Sequence, residues 1–139
     1  MERVKEGYDH LERGSARRAR QIFSKLTGFS PNYAEAWCGL GDAYRMQAEE
    51  AGKREDFEIV FEYLRDSVEA YTKAIELKEN FARAYYYRGD VHRDLALFIQ
   101  DGTVAPGMAA GGAYQQGHYN AEQSKADFKK AKELGYETP

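Results

Sequence analysis

The chain has 139 residues and a formal net charge of −3, with 42% hydrophobic and 31% charged residues. That length suits one domain and is short for two, and the composition argues against disorder. A mildly acidic balance (sequence pI near 5.7) gives no global attraction to nucleic acid or anionic membrane. The longest apolar runs are a handful of residues, far short of the roughly 20 a bilayer span needs.

Six helices are expected in chain order, at 2–13, 16–27, 34–51, 54–78, 82–100 and 113–134. The first stretch, MERVKEGYDHLERG, is charged throughout and lacks an apolar core, so it does not read as a secretory signal. Gly14-Ser15 separates it from the second helix. Residues 1–27 hold seven Lys or Arg against four Asp or Glu, with Arg17, Arg18 and Arg20 clustered. A solvated face explains that cluster more simply than RNA contact, which stays a minor alternative. Ser30-Pro31-Asn32 ends the second helix. A break at Gly52 and turn residues at Glu79-Asn80 bound the fourth. The stretch GTVAPGMAAGGAYQQGHY over 102–119 is the most glycine-rich of the chain, and it reads either as a variable connector or as a loop for specialised contacts.

The chain repeats itself. Gly7 and Gly41 lie 34 residues apart, Trp37-x2-Leu40-Gly41-x2-Tyr44 forms one motif, and Ala19-x3-Phe23 followed by Pro31 forms another. Later copies keep the register with a larger step. Gly41 to Gly89, Trp37 to Tyr85, Phe23 to Tyr71 and Leu26 to Ala74 are all separated by 48 residues, which is the 34-residue period lengthened by 14. Tyr71 to Phe128 and Ala74 to Ala131 are both separated by 57, a lengthening of 23.

These motifs and their order resemble the tetratricopeptide (TPR) repeat family. The resemblance implies an all-α fold of three stacked helical hairpins in a right-handed superhelix. It covers nearly the whole chain as a single domain, 1–139. Repeat one is 1–33, repeat two is 34–81 with a 14-residue insertion, and repeat three is 82–139 with a 23-residue insertion. Both insertions fall between the helices of their hairpin, so the second and third hairpins are elongated. Their extra turns are expected to pack as a bundle built from Phe57, Phe61, Leu64, Leu95 and Phe98. The glycine of each first helix is expected to meet the small residue of the second (Ala19, Ser67, Ser124), while Phe23, Tyr71 and Phe128 fill the gap to the next hairpin.

The resemblance implies protein binding in a concave groove lined by the first helices. The register places Val4, Lys5, Tyr8, Leu11, Glu12, Glu35, Cys38, Gly39, Asp42, Arg45, Met46, Arg83, Tyr86, Tyr87, Asp90, Arg93 and Asp94 on that side. The candidate partner-binding residues are Tyr8, Asp42, Arg45, Arg83, Tyr86, Tyr87, Asp90 and Arg93, because Tyr and Arg dominate binding hot spots. The plainer alternative is that these tyrosines pack on neighbouring helices and the arginines make surface ion pairs of little energy. Some family members clamp a chaperone's terminal carboxylate. The matching positions are Val4, Tyr8, Gly39, Arg83 and Tyr87, and only Arg83 supplies the donor that this chemistry needs.

No residue pattern points to catalysis. His10, His92 and His118 have no metal-ligand spacing, and His92 takes the place of Tyr44 at the 48-residue step, where a packing role is expected. Cys38 reads as a small buried residue. The glycine-rich stretch lacks a phosphate-binding motif. The expectation is a non-enzyme without cofactor or metal, in the cytoplasm, whose partner is another protein or peptide. The alternative is a homo-oligomeric module that associates through the last helix or the elongated tips.

Overall fold

The structure is a computed structural model, and it describes residues 2–100 and 110–138. Among the described residues there are six α-helices and no strand: α1 (Glu2–Glu12), α2 (Ala16–Phe29), α3 (Ala34–Lys53), α4 (Phe57–Leu77), α5 (Ala82–Gln100) and α6 (Ala110–Glu133). The all-α expectation holds, and the helices contact one another in consecutive pairs. α1 packs on α2, α3 on α4 and α5 on α6. Each pair meets the next through α2 against α3 and α4 against α5, with further contacts between α1 and α3 and between α3 and α5. No helix among the described residues is long and apolar enough to cross a membrane.

Three of the helix ends use one device. Ser15 N–H bonds to His10 O while Gly14 N–H bonds to Leu11 O, and Gly14 has φ +77. Tyr136 and Gly135 repeat the pattern on Ala131 and Lys132, with Gly135 at φ +87. A residue in the left-handed region lets the chain reverse and satisfies the last helical carbonyls. The α3–α4 turn does the same with Glu55, a non-glycine at φ 58. Its neighbour Asp56 donates to Ala51 O and Glu55 donates to Gly52 O.

That turn corrects the expected break at Gly52. The glycine lies inside α3, and the reversal falls at 54–56, so α4 starts at Phe57 rather than 54. α6 starts at Ala110, three residues before the expected 113. Alanines among the glycines keep the helical register where glycine alone would end it. The rest of the stretch expected to be a loop, 101–109, lies outside the described residues.

The interior has two connected clusters. One gathers Leu11, Ala16, Ala19, Phe23, Leu40 and Ala43 between the first two pairs. The other gathers Val60, Phe61, Leu64, Tyr71, Val91 and Leu95 between the second and third. The expected tip bundle is present. Phe98 meets both Phe57 and Phe61 edge to face, with ring centroids at 5.8 and 5.6 Å. Glycine has a different role from the expected one. A Cβ placed on Gly7 would lie 2.5 Å from the Phe23 ring, one on Gly39 would collide with the same ring, and one on Gly41 would lie 2.7 Å from Tyr71. The glycines therefore make room for the large aromatic, not for Ala19. Ser67 does meet Gly41, through a 2.9 Å hydrogen bond from its hydroxyl to the Gly41 carbonyl.

A bidentate ion pair fastens the two helices of the third pair together, and the same arginine reaches the second pair. Arg88 on α5 donates from Nε and Nη2 to the two oxygens of Asp127 on α6, at 2.8 and 2.7 Å. Its Nη1 reaches Thr72 Oγ1 on α4 at 3.2 Å.

Candidate functional site

The site is built around a buried carboxylate. Asp42 sits mid-way along α3 and is 2% exposed. A charge at that depth is tolerated only when donors surround it, and four side chains from four helices do so. Tyr8 Oη on α1 donates to Oδ2 at 2.9 Å, and Arg83 Nη2 on α5 donates to the same oxygen at 2.6 Å. Tyr71 Oη on α4 donates to Oδ1 at 2.5 Å. Arg45, one turn along α3, places Nη2 3.6 Å from Oδ1 and donates from Nε to Tyr71 Oη at 3.3 Å.

These contacts set the charge states. Burial pushes the Tyr8 and Tyr71 hydroxyls up, and the negative charge of Asp42 adds to it, so both stay protonated donors. Burial works against the charged forms of Arg83 and Arg45. For Arg83 the attraction of Asp42 more than compensates, and for Arg45 Tyr71 and Asp42 do. Cys38 is fully buried, and burial followed by Asp42 pushes its thiol up. It is a neutral packing group, not a thiolate nucleophile.

The same network orients an aromatic surface. The Tyr87 ring has the Arg45 guanidinium 4.3 Å and the Arg83 guanidinium 4.7 Å from its centroid. Arg83 also lies 5.7 Å from the centre of Tyr8. Each such cation–π contact is worth about 0.5–2 kcal/mol. Tyr8, Arg45, Arg83 and Tyr87 are all half-buried, so each shows one side to solvent.

Of the eight side chains expected to bind a partner, five converge here: Tyr8, Asp42, Arg45, Arg83 and Tyr87. The other three lie further along, toward α6. Tyr86 meets Phe128 at 5.3 Å and stacks on Tyr136 at 4.8 Å. Asp90 pairs with Arg93 on its own helix, and the Arg93 guanidinium lies 5.6 Å from the Phe128 centroid. Tyr86 and Tyr87 are joined edge to face at 5.1 Å. Leu11, Cys38 and Gly39, which the register placed on the groove, are buried and line no surface. Large neighbours on the adjoining helices cover them.

Two aromatic residues of this region were not among the expected ones. Tyr71 was read as a packing residue only. The signal was its hydroxyl: at the 48-residue step it replaces Phe23, and a buried hydroxyl requires a partner. Tyr136 lies beyond the last expected helix, which ends at 134. Gly135 before it marks the chain reversal that turns Tyr136 back onto Tyr86.

A second concavity, of about 920 Å³, runs along α4 on the other side of the helices, with Phe61, Val68, His92, Leu95, Tyr119 and Asn120 in its wall. His92 is buried there as expected and pairs through Nδ1 with Asn120 Oδ1 at 2.7 Å. Burial lowers its basicity.

No protein-family model matches this sequence, and no curated protein matches it. Among solved structures the chain is similar to MamA, at 22% sequence identity over 92% of this chain and 93% of that one, with a TM-score of 0.27. An overlap of that size is too small to identify the fold.

Proposed function

We propose that this chain is a tetratricopeptide-type binding module, a scaffold or adaptor. In this reading it captures a peptide or helix of another protein along the face lined by Tyr8, Arg83, Tyr87 and Arg45. The observation that carries the reading is the Tyr87 ring held between two guanidiniums, both fastened to the network around Asp42. Side chains locked before the ligand arrives lose little entropy on binding, and this is what a recognition surface needs.

The chemistry favours an acidic or aromatic anchor. Arg83 faces one carboxylate, Asp42, while Arg45 is shared between Asp42 and Glu49, and the N–H groups of Arg83 that do not face Asp42 remain for a ligand oxygen. A terminal-carboxylate clamp is disfavoured, because Arg83 is the single basic residue at the clamp positions and is already engaged with Asp42.

Selection of displayed random peptides on the purified chain tests the reading. Selected peptides should be rich in Asp, Glu and aromatics. Arg83→Ala and Tyr87→Ala should each weaken them about ten-fold, equivalent to about 1.4 kcal/mol. Failure to enrich any sequence, or peptides indifferent to both variants, would sink the idea.

Self-association through the elongated tips is the second reading. It rests on Phe57 and Leu97, which are 40% and 48% exposed beside Phe98. Sedimentation across a concentration series separates the two, since a mass that stays at 15.9 kDa leaves only peptide capture.

A further inference from the structure

The three helix pairs present the same aromatic position in three settings. Phe23 in the first pair is fully buried. It lies against Gly7 of its own pair and Gly39 of the helix that docks next, α3. Tyr71 in the second pair is also fully buried. It lies against Gly41 of its own pair, with α5 docked next. Phe128 in the third pair lies against Gly89 of α5, where a Cβ would come within 3.2 Å of its ring. Phe128 is only half-buried, and no further helix docks on it among the described residues. In place of a helix there is an open cleft of about 540 Å³, with Tyr86, Arg93, Phe128, Ala131, Lys132 and Tyr136 in its wall.

The acidic groups beside the cleft follow the same logic. Asp90 stands 48 residues after Asp42, and Arg93 stands 48 after Arg45. Within the second pair, Asp42 is paired by Arg45 of its own helix and by Arg83 of the helix that docks next. Asp90 has the first of these partners, Arg93. Among the described residues no helix brings the second. Four residues along, Asp94 is pushed up to about 6 by burial, and by the negative charges of Asp90 and Glu49. The cleft wall itself carries Arg93 and Lys132 against Glu137, so the place for an incoming cation is Asp90, where it would stand as Arg83 stands at Asp42.

We propose that the cleft over Phe128 takes an α-helix from a partner protein, one that sets a glycine or alanine against the Phe128 ring and an arginine or lysine beside Asp90. The helix would continue the stack as α3 and α5 do, and Tyr136 is the group that it displaces or packs against. This site adjoins the surface around Asp42, since Tyr87 meets both Tyr86 and Tyr136 of the cleft wall, but its floor, Phe128 and Ala131, belongs to α6.

The probe is a synthetic peptide of residues 34–53 carrying Glu35→Arg, which combines Gly39 with an arginine at the register position of Arg83. Titration calorimetry with the full chain should show saturable binding. A second peptide, with Gly39→Phe added, should bind at least ten-fold more weakly. In the protein, Asp90→Asn should weaken the first peptide about ten-fold. Lys132→Trp, which fills the cleft from an exposed position, should abolish binding. Acidic peptides selected on the Asp42 surface should bind the Lys132→Trp variant as they bind the unsubstituted chain, which separates the two sites. No binding at millimolar peptide, or binding indifferent to Lys132→Trp and to the Gly39→Phe change, overturns the proposal. A concentration-dependent dimer that Lys132→Trp dissolves would overturn it too, by making a second copy of this chain the occupant.

Discussion

The Tyr71 hydroxyl lies 2.5 Å from Asp42 Oδ1, both groups are buried, and the hydroxyl accepts in turn from Arg45 Nε. A side chain that would otherwise only fill space between two helix pairs thus anchors the polar network under the aromatic surface. Tyr71→Phe keeps the ring and removes one donor from a buried carboxylate. Urea unfolding should show a loss of about 1–3 kcal/mol. Asp42→Ala removes the acceptor of three donors and leaves Arg83 without its ion-pair partner, so the loss should reach about 3–5 kcal/mol. The two losses should not add in the double variant. Additivity would mean that the Tyr71–Asp42 bond contributes nothing.

Gly39 faces the closed ring of Phe23, which is held from the other side by Gly7. Gly39→Ala should therefore destabilise by about 1–3 kcal/mol, the usual cost of overfilling a packed core. It should do so even though alanine is the better helix former. Gly28→Ala is the control, since nothing lies within 4 Å of its added Cβ. If the two variants unfold at the same midpoint, the contact with Phe23 is loose.

Glu55 takes a left-handed conformation, φ 58, between α3 and α4. An L side chain there costs about 1–2 kcal/mol relative to glycine. Glu55→Gly should raise stability by about 1 kcal/mol, because glycine's larger unfolded entropy takes back part of the gain. Thermal or urea melts read this directly, and a destabilised variant would contradict the turn geometry.

Asp94 is pushed up to about 6, first by burial and then by Asp90 and Glu49. Its folded pKa lies above the ordinary aspartate value near 3.9. The folded chain therefore binds this proton more tightly than the unfolded chain, and the linked stability falls as pH rises from about 4 to about 6. Asp94→Asn should remove that slope and gain on the order of 1–2 kcal/mol at pH 7. His92 works in the opposite sense. Burial lowers its pKa, so its contribution is lost as pH falls below about 6.5. Urea midpoints measured from pH 4 to 8 on Asp94→Asn and on His92→Gln separate the two, and an unchanged slope in Asp94→Asn would refute the assignment.

Arg88 joins α5, α6 and α4 through Asp127 and Thr72. Lysine keeps the charge but cannot form the two-pronged contact. Arg88→Lys should cost about 1–3 kcal/mol, with the loss of protection in hydrogen exchange concentrated in α6. Protection lost evenly over all six helices would show that the clamp does not hold α6 in particular.

The sequence alone determined the all-α class, the order of six helices and the register between them. Apolar periodicity and the 34- and 48-residue steps are local or translational features, readable without knowing what touches what. They placed Phe57, Phe61 and Phe98 at one tip and aligned Tyr8, Asp42, Arg83 and Tyr87 with one another. They also put Cys38 and Gly39 on an open groove when both are buried, because register gives a direction along a helix and not what stands opposite. Only the tertiary structure decided which groups share a proton or an ion pair. Tyr71 reaches Asp42 across two helices, and Tyr136 comes back onto Tyr86 through the reversal at Gly135. The Phe23 ring, not the side chain of Ala19, fills the space left by Gly7 and Gly39. Each of these depends on distances of a few tenths of an ångström between segments far apart in the chain, which pairing by sequence spacing does not resolve.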